Sequence, residues 1–262
     1  MIYYGNTDIG KRRLINQDSF RAMSIWGGEA ILLVVCDGMG GHKAGEVASK
    51  KAVDAFCESI FARPCTDEDA VNEETIKAYI RYVMVSSGDI ANSTVYNLSC
   101  SNEEYRGMGT TMVAALIFRN RMYIMNIGDS RLYRITVEGT EQITKDHSFV
   151  QDLIDTGKLT PEEARDNPRK NIITRAIGVT EKPSVDFFYG SLDAKGHGYL
   201  LLCTDGLSNY TDDKTLFDMI YTPEDPSKPE TEDDLTVKVD KLIAYANDCG
   251  GNDNITAIIA EF

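Results

Sequence analysis

A chain of 262 residues that is 42% hydrophobic can bury a substantial core. Its formal charge of −14 argues against nucleic acid or an anionic membrane surface as the main partner. The same charge is awkward for an enzyme that handles phosphate, unless bound cations invert the field locally.

The first residues, MIYYGNTDIGKRR, hold no apolar signal core, and no run approaches the ~18 apolar residues of a membrane span. The expected location is the cytoplasm. Apolar segments around IYYG, SFRAMSIW and AILLVVC, broken by polar turns, predict strands across residues 1–36. A helix is expected over 44–62, where Val47, Ala48, Ala52, Val53, Phe56 and Ile60 recur at three-to-four spacing with Lys50, Lys51, Asp54 and Glu58 opposite. A second helix is expected over 74–98, with Gly88 as a point of interruption. Between 110 and 144 the closely spaced runs TTMVAALIF, RMYIMNI, SRLYRI and EQIT predict an antiparallel meander. Thr160, Pro161 and Glu163 supply an N-cap, a first-turn proline and a capping-box acid for a short helix. Strands resume at SVDFF and GYLLLC. A proline-rich acidic loop at 222–230 precedes a helix over 232–248, and NITAIIAEF closes the chain as a strand. This order predicts one α+β domain over 1–262, with mixed sheet structure and helices on its outer faces, rather than a βαβ repeat.

The six cysteines form no C-x-x-C pair, and Cys36 and Cys203 fall inside apolar runs, so they read as small buried thiols rather than zinc ligands or disulfides. Cys57 and Arg63 have the C-x5-R spacing of cysteine-nucleophile phosphatases, but the intervening ESIFA continues a helix and lacks the glycine a phosphate loop needs. That chemistry is set aside.

Four aspartates stand where an apolar run meets glycine or asparagine: Asp37 in LLVVCDG, Asp129 in MNIGDS, Asp205 in LLLCTDG and Asp253 in NDNITAII. A single Asp-Gly after a strand is ordinarily a turn. Four such carboxylates at strand ends suggest convergence on hard divalent cations.

The ordered motifs resemble, over nearly the whole chain, the metal-dependent serine/threonine protein phosphatases of type 2C in their bacterial form. The strings that carry the resemblance are G-K-R-R-L-I-N-Q-D at 10–18, V-V-C-D-G-M-G-G-H-K-A-G-E at 34–46, G-M-G-T-T at 107–111, N-I-G-D-S-R at 126–131, T-K-D-H-S at 144–148, N-I-I-T-R-A-I-G at 171–178, L-C-T-D-G-L at 202–207 and D-N-I-T at 253–256. The resemblance implies a four-layer α-β-β-α sandwich, with two mostly antiparallel sheets flanked by helices and the active centre in a cleft at one edge. It implies that Asp37 bridges two manganese or magnesium ions, that Asp205 and Asp253 complete one ion, and that the Gly38 carbonyl serves the other. Asp18 would act through ordered water, and Asp129 matches the position of a third, weaker ion. Arg13 matches the phosphate-binding arginine, whose planar fork can grip two phosphoryl oxygens. A water shared by the two ions would attack phosphorus without a covalent phosphoenzyme.

Gln17 stands where many members have glutamate, removing a negative charge near the water shell. Met39 stands where eukaryotic members place a histidine thought to protonate the leaving alkoxide. His42 is the candidate substitute, set against a structural role at the glycine turn. His147 is expected to order a turn or helix start, and His197, between glycines, to lie at the surface. Residues 149–170 correspond to a variable flap whose Arg165, Asp166, Arg169 and Lys170 either read the substrate or form an exposed helix and loop. Loops 63–75 and 222–231 read as spacers or docking surfaces. The expected partners are phosphorylated serine/threonine proteins, a serine/threonine kinase among them, met by a monomer. Two rivals stand beside this reading: a catalytically silent phosphoprotein-binding module on the same fold, and a phosphatase for a small phosphorylated metabolite.

Overall fold

The computed structural model describes residues 1–41, 44–66, 71–221 and 230–262. The chain opens with β1 (Tyr3–Asp8), β2 (Asp18–Ile25) and β3 (Ala30–Met39), then two long helices, α1 (Ala44–Phe61) and α2 (Glu73–Ser101). There follow β4 (Gly109–Thr110), β5 (Met112–Phe118), β6 (Arg121–Ile127), β7 (Arg131–Thr136) and β8 (Gly139–Gln142). Two short helices, α3 (Phe149–Asp155) and α4 (Pro161–Arg165), precede β9 (Asp186–Ser191) and β10 (Tyr199–Cys203). The remainder is α5 (Asp205–Ser208), α6 (Asp213–Ile220), α7 (Glu232–Asp248) and β11 (Ile255–Glu261).

One sheet runs β1-β11-β10-β7-β8 and the other β2-β3-β5-β6-β9, with β4 attached to β3; the strand pairs are antiparallel. The continuous apolar runs of β3, β5, β10 and β11 are explained by burial on both faces. In β3, Leu32, Val34 and Cys36 pack with α1 and α2, while Leu33 and Val35 face the opposite sheet. In β10, Leu201 and Cys203 pack with α7, while Leu200 and Leu202 meet the same inter-sheet core. Helix, sheet, sheet and helix are therefore four layers around three cores, as the resemblance implied. Each fully buried Leu, Ile or Phe side chain in these cores stabilises the fold by about 1.5–3 kcal/mol.

The helix boundaries follow from local chemistry. Asn72 and Thr75 form a capping box at the start of α2, Thr160 and Glu163 do so at α4, and Thr231 and Asp234 at α7. Gly88 does not interrupt α2: it is buried, and a Cβ there would press on the Met125 sulfur at 2.9 Å, so the glycine lets helix and sheet approach. The expected meander is also corrected. β5 and β6 belong to one sheet and β7 and β8 to the other, so the chain crosses between sheets at residues 128–130. The helices α5 and α6 had no sequence-based expectation, and α3 fell within the flap read only as helix and loop; α5, at 4 residues, is too short to show a period. The proline-rich segment lies at 222–229 outside the described residues, as do 67–70.

Candidate active site

Strand alternation carries the carboxylates to one place. Asp18 shares its face of β2 with Phe20 and Ala22, and Asp37 its face of β3 with Leu33 and Val35, so both point between the sheets. The β2–β3 register sets the two directly opposite one another. From the other sheet, the hydroxyls of Thr204 and Thr256 donate to Asp18 Oδ2 at 2.9 and 2.6 Å. Asp18 thus ties the sheets together at the edge of the sandwich.

Asp37 is fixed by its own peptide group. Its N–H donates to Thr111 Oγ1 at 2.9 Å, and its carbonyl accepts from the Thr110 hydroxyl at 2.8 Å and the Thr111 amide at 2.9 Å. The Gly38 amide donates to the Gln17 carbonyl at 3.0 Å. A Cβ on Gly38 would collide with the Gly45 carbonyl, so only glycine lets α1 begin this close to the strand end. Asp205 opens α5 directly after β10, and its Oδ2 accepts from Asn209 Nδ2 at 3.1 Å. Asp129 occupies the crossing between the sheets, beside Gly128 at φ +111°.

Arg13 lies at the rim, with Nη2 on Asp253 Oδ2 at 2.7 Å and about half of its side chain (48%) exposed. Its loop is pegged by Asn254, whose amide donates to the carbonyls of Ile9 and Ile15 at 3.0 and 3.1 Å and accepts from the Gln17 amide at 2.8 Å. That role, like those of Thr110, Thr111, Thr204 and Thr256, had no expectation attached, although all five lie inside quoted motifs. Their signal was the motif itself.

The acids share one electrostatic field. Burial, then the charges of Asp18, Asp205, Asp129 and Asp253, hold the Asp37 carboxyl well above the usual carboxylate range. Burial pushes Asp18 up to about 7, against the stabilising hydrogen bonds of Thr256 and Thr204. Asp129 is pushed up to about 8 by burial and by Asp205 and Asp146. Asp205 reaches about 6 through burial and Asp253, relieved in part by Asn209 and by a hydrogen bond with Asp37.

Two buried oxygens here, Asp18 Oδ1 and Asp205 Oδ1, have no hydrogen-bond partner. Orphaned anionic oxygens in a ring of like charges are a costly arrangement that divalent cations relieve. Among the described residues, no three His, Cys, Asp or Glu side chains are already gathered closely enough to hold a metal ion by themselves. The cleft offers an open, oxygen-only donor set, which suits ions such as magnesium or manganese that keep part of their water shell.

His42 lies outside the described residues. His147 does order a turn: its amide donates to the Gly128 carbonyl at 2.8 Å and its Nδ1 accepts from the Gly128 amide at 3.1 Å. His197 is not at the surface; it is 9% exposed and paired through Nδ1 with Glu261 at 2.6 Å, because the chain's last strand folds over it. On the flap, Arg165, Asp166 and Arg169 are exposed and Lys170 is half-buried, with the Arg169 guanidinium 4.2 Å from the Phe149 ring centre. The Cys57 thiol is buried and pushed up to about 12, and Arg63 binds the hydroxyls of Ser59 and Ser86, far from any phosphate loop chemistry.

Comparison with known proteins gives a consistent result. The family model described as protein phosphatase 2C matches residues 10–238. The protein phosphatase PhpP of Streptococcus pneumoniae (strain D39) is 37% identical over 253 residues, covering 97% of this chain and 94% of that protein. The serine/threonine phosphatase Stp1 from Staphylococcus aureus superposes with a TM-score of 0.84 at 37% identity, covering 99% of this chain and 94% of that one. A structure of the catalytic domain of the serine/threonine phosphatase PstP in complex with 2 manganese ions superposes at 0.76 with 32% identity, covering 98% and 96%.

Proposed function

The chain belongs to the protein phosphatase 2C family, and we propose that its inter-sheet cleft hydrolyses phosphoserine and phosphothreonine in proteins by direct attack of water. It is a protein serine/threonine phosphatase of that type. The observation that carries the finer reading is the raising of Asp18, Asp37, Asp129 and Asp205 by burial and then by neighbouring carboxylates, together with the orphaned oxygens of Asp18 and Asp205.

In this reading Asp37, Asp205, Asp253 and the Gly38 carbonyl would hold cations such as manganese or magnesium, with Asp37 as the ligand they would share. Asp18 acts through ordered water, since Thr204 and Thr256 occupy its Oδ2 and leave Oδ1 unpartnered. Asp129 serves a third, weaker ion. Bound cations would neutralise phosphoryl oxygens and lower the pKa of the attacking water. Arg13 orients the phosphoryl group at the mouth, its guanidinium already steadied by Asp253. Protonation of the leaving alkoxide is assigned to His42. The thiols nearest the cleft are poor nucleophiles: burial holds Cys36 well above the usual thiol range and pushes Cys203 up to about 12. That favours hydrolysis in one step over a covalent phosphoenzyme.

The protein so read is one catalytic domain, acting as a cytoplasmic monomer on phosphoproteins made by a serine/threonine kinase. Among the described residues no helix is long and apolar enough to cross a membrane. The deciding experiment measures phosphate release from a phosphothreonine peptide, titrated with manganese and magnesium, against EDTA and the Asp205→Asn variant. Metal-dependent release that vanishes in the variant is the expected result. Folded protein that binds the phosphopeptide but releases no phosphate in any metal would instead make it a silent binding module.

A further inference from the structure

We propose that His147 is a positioning residue for Asp129: its Nδ1 holds the Gly128 amide and so fixes the turn that presents the Asp129 carboxyl to the cleft. The proposal rests on the reading of Asp129 as a ligand of the weakest-bound cation. At residues 128–130 the chain leaves one sheet for the other, and the β5–β6 ladder has ended at Ile127. Gly128 is buried there, so its amide needs a partner that no strand provides. His147 supplies it, the ring Nδ1 accepting from the Gly128 amide at 3.1 Å, and its own amide donates to the Gly128 carbonyl at 2.8 Å.

The opposite side of the same turn is closed by Ser130, whose hydroxyl meets Thr111 Oγ1 at 2.7 Å, the atom that also receives the Asp37 amide. A Cβ on Gly128 would strike the Thr111 side chain, so the turn has no room to shift that way. The carboxyl of Asp129 is therefore suspended between two latches, one of them the imidazole.

The two sides of the ring together set its tautomer. Nε2 lies 3.1 Å from Asp186 Oδ2, and Arg175 Nη1 lies 3.2 Å from Nε2 and 3.1 Å from Asp186 Oδ1. The Gly128 N–H donates to Nδ1, which must therefore be the unprotonated nitrogen, so a neutral ring carries its proton on Nε2 and gives it to Asp186, the carboxylate that faces it. Burial, the largest influence on the ring, holds its pKa below the ordinary histidine value, in keeping with a neutral imidazole. Asp186 is itself set by the β6–β9 register opposite Asn126.

The test titrates manganese calorimetrically into wild-type protein, Asp129→Asn, His147→Gln and His147→Asn. Asparagine places an oxygen near the Nδ1 position, whereas glutamine reaches only towards Nε2. The expected result is loss of the weakest binding step in Asp129→Asn, a weakening of that step by about 10- to 100-fold in His147→Gln, and near wild-type binding in His147→Asn. Wild-type binding by His147→Gln, or equal loss in both histidine variants, overturns the positioning role while leaving Asp129 a ligand. No change in Asp129→Asn overturns the ligand reading, and the proposal with it. Should His147→Gln not fold, the 15N–15N coupling across the hydrogen bond between the Gly128 amide and His147 Nδ1 decides the matter in wild-type protein: its presence supports the latch and its absence removes it.

Discussion

Two groups of buried charge stand at opposite ends of β10. Beside Tyr199, Lys238 Nζ meets Glu230 Oε1 at 2.6 Å and the Ile220 carbonyl at 2.7 Å, while the Tyr199 hydroxyl donates to the same Glu230 oxygen at 2.6 Å. One cation answers one anion. Beyond Cys203, the cleft gathers Asp18, Asp37, Asp129, Asp205 and Asp253, with the half-exposed Arg13 as the cation paired among them. The first group is charge-balanced by the chain itself, and the second is balanced only when something enters. Buried charge marks function here by its imbalance and not by unpartnered oxygens alone, since Glu230 Oε2 also lacks a partner in a pair that is neutral as a whole.

The largest effect expected from breaking this contrast lies at the acid-rich end. Asp37→Asn should reduce turnover of a phosphothreonine peptide to below about 1% of wild type, while the metal-free protein melts no earlier than wild type, because an unfavourably buried carboxyl has been replaced by a neutral amide. A variant that retains full turnover in manganese would end the assignment of Asp37.

At the balanced end the sign reverses. Lys238→Met leaves Glu230 buried without its cation and should cost about 3–5 kcal/mol in urea unfolding, while turnover per folded molecule is unchanged. The double variant Lys238→Met with Glu230→Leu should recover much of that loss, and failure to recover would show that the pair does more than neutralise itself.

The third effect is smaller and concerns pH. Asp18 titrates at about 7 in the folded chain against an ordinary value of 3.8. Between those values the native state holds protons that the unfolded state has released, so stability falls as pH rises. Without metal, the melting temperature should therefore decline from about pH 4 to about pH 8, a loss on the order of a few kcal/mol. Saturating manganese should flatten the decline. An EDTA-treated protein that gains stability over this window would contradict the field attributed to the cleft.

Much of this was legible in the sequence because it is local. The helix over 232–248 matches α7 residue for residue, and the strand-end aspartates fall where the apolar runs stop. What stayed hidden depends on partners distant in the chain. G-D-S at 128–130 has the chemistry of a hairpin turn, and nothing within it reveals that the flanking strands belong to different sheets. Gly88 reads as a helix breaker until Met125 is seen against it, and His197 reads as surface until Glu261 arrives. The hydroxyls of Thr204 and Thr256 acquire meaning only through Asp18, on the other sheet. Alternation predicted that these side chains face inward, but not what they would meet.

The position of β11 has a consequence for how the protein is made. It lies between β1 and β10, pairing the beginning of the chain with its far end, and it follows directly on Asp253. During synthesis, β1 waits for its partner until the chain has been made as far as β11, and loop closure on that scale makes the sheet slow to assemble. The same segment delivers a carboxylate of the cleft, so a chain interrupted before it has neither a closed sheet nor a complete acidic cluster.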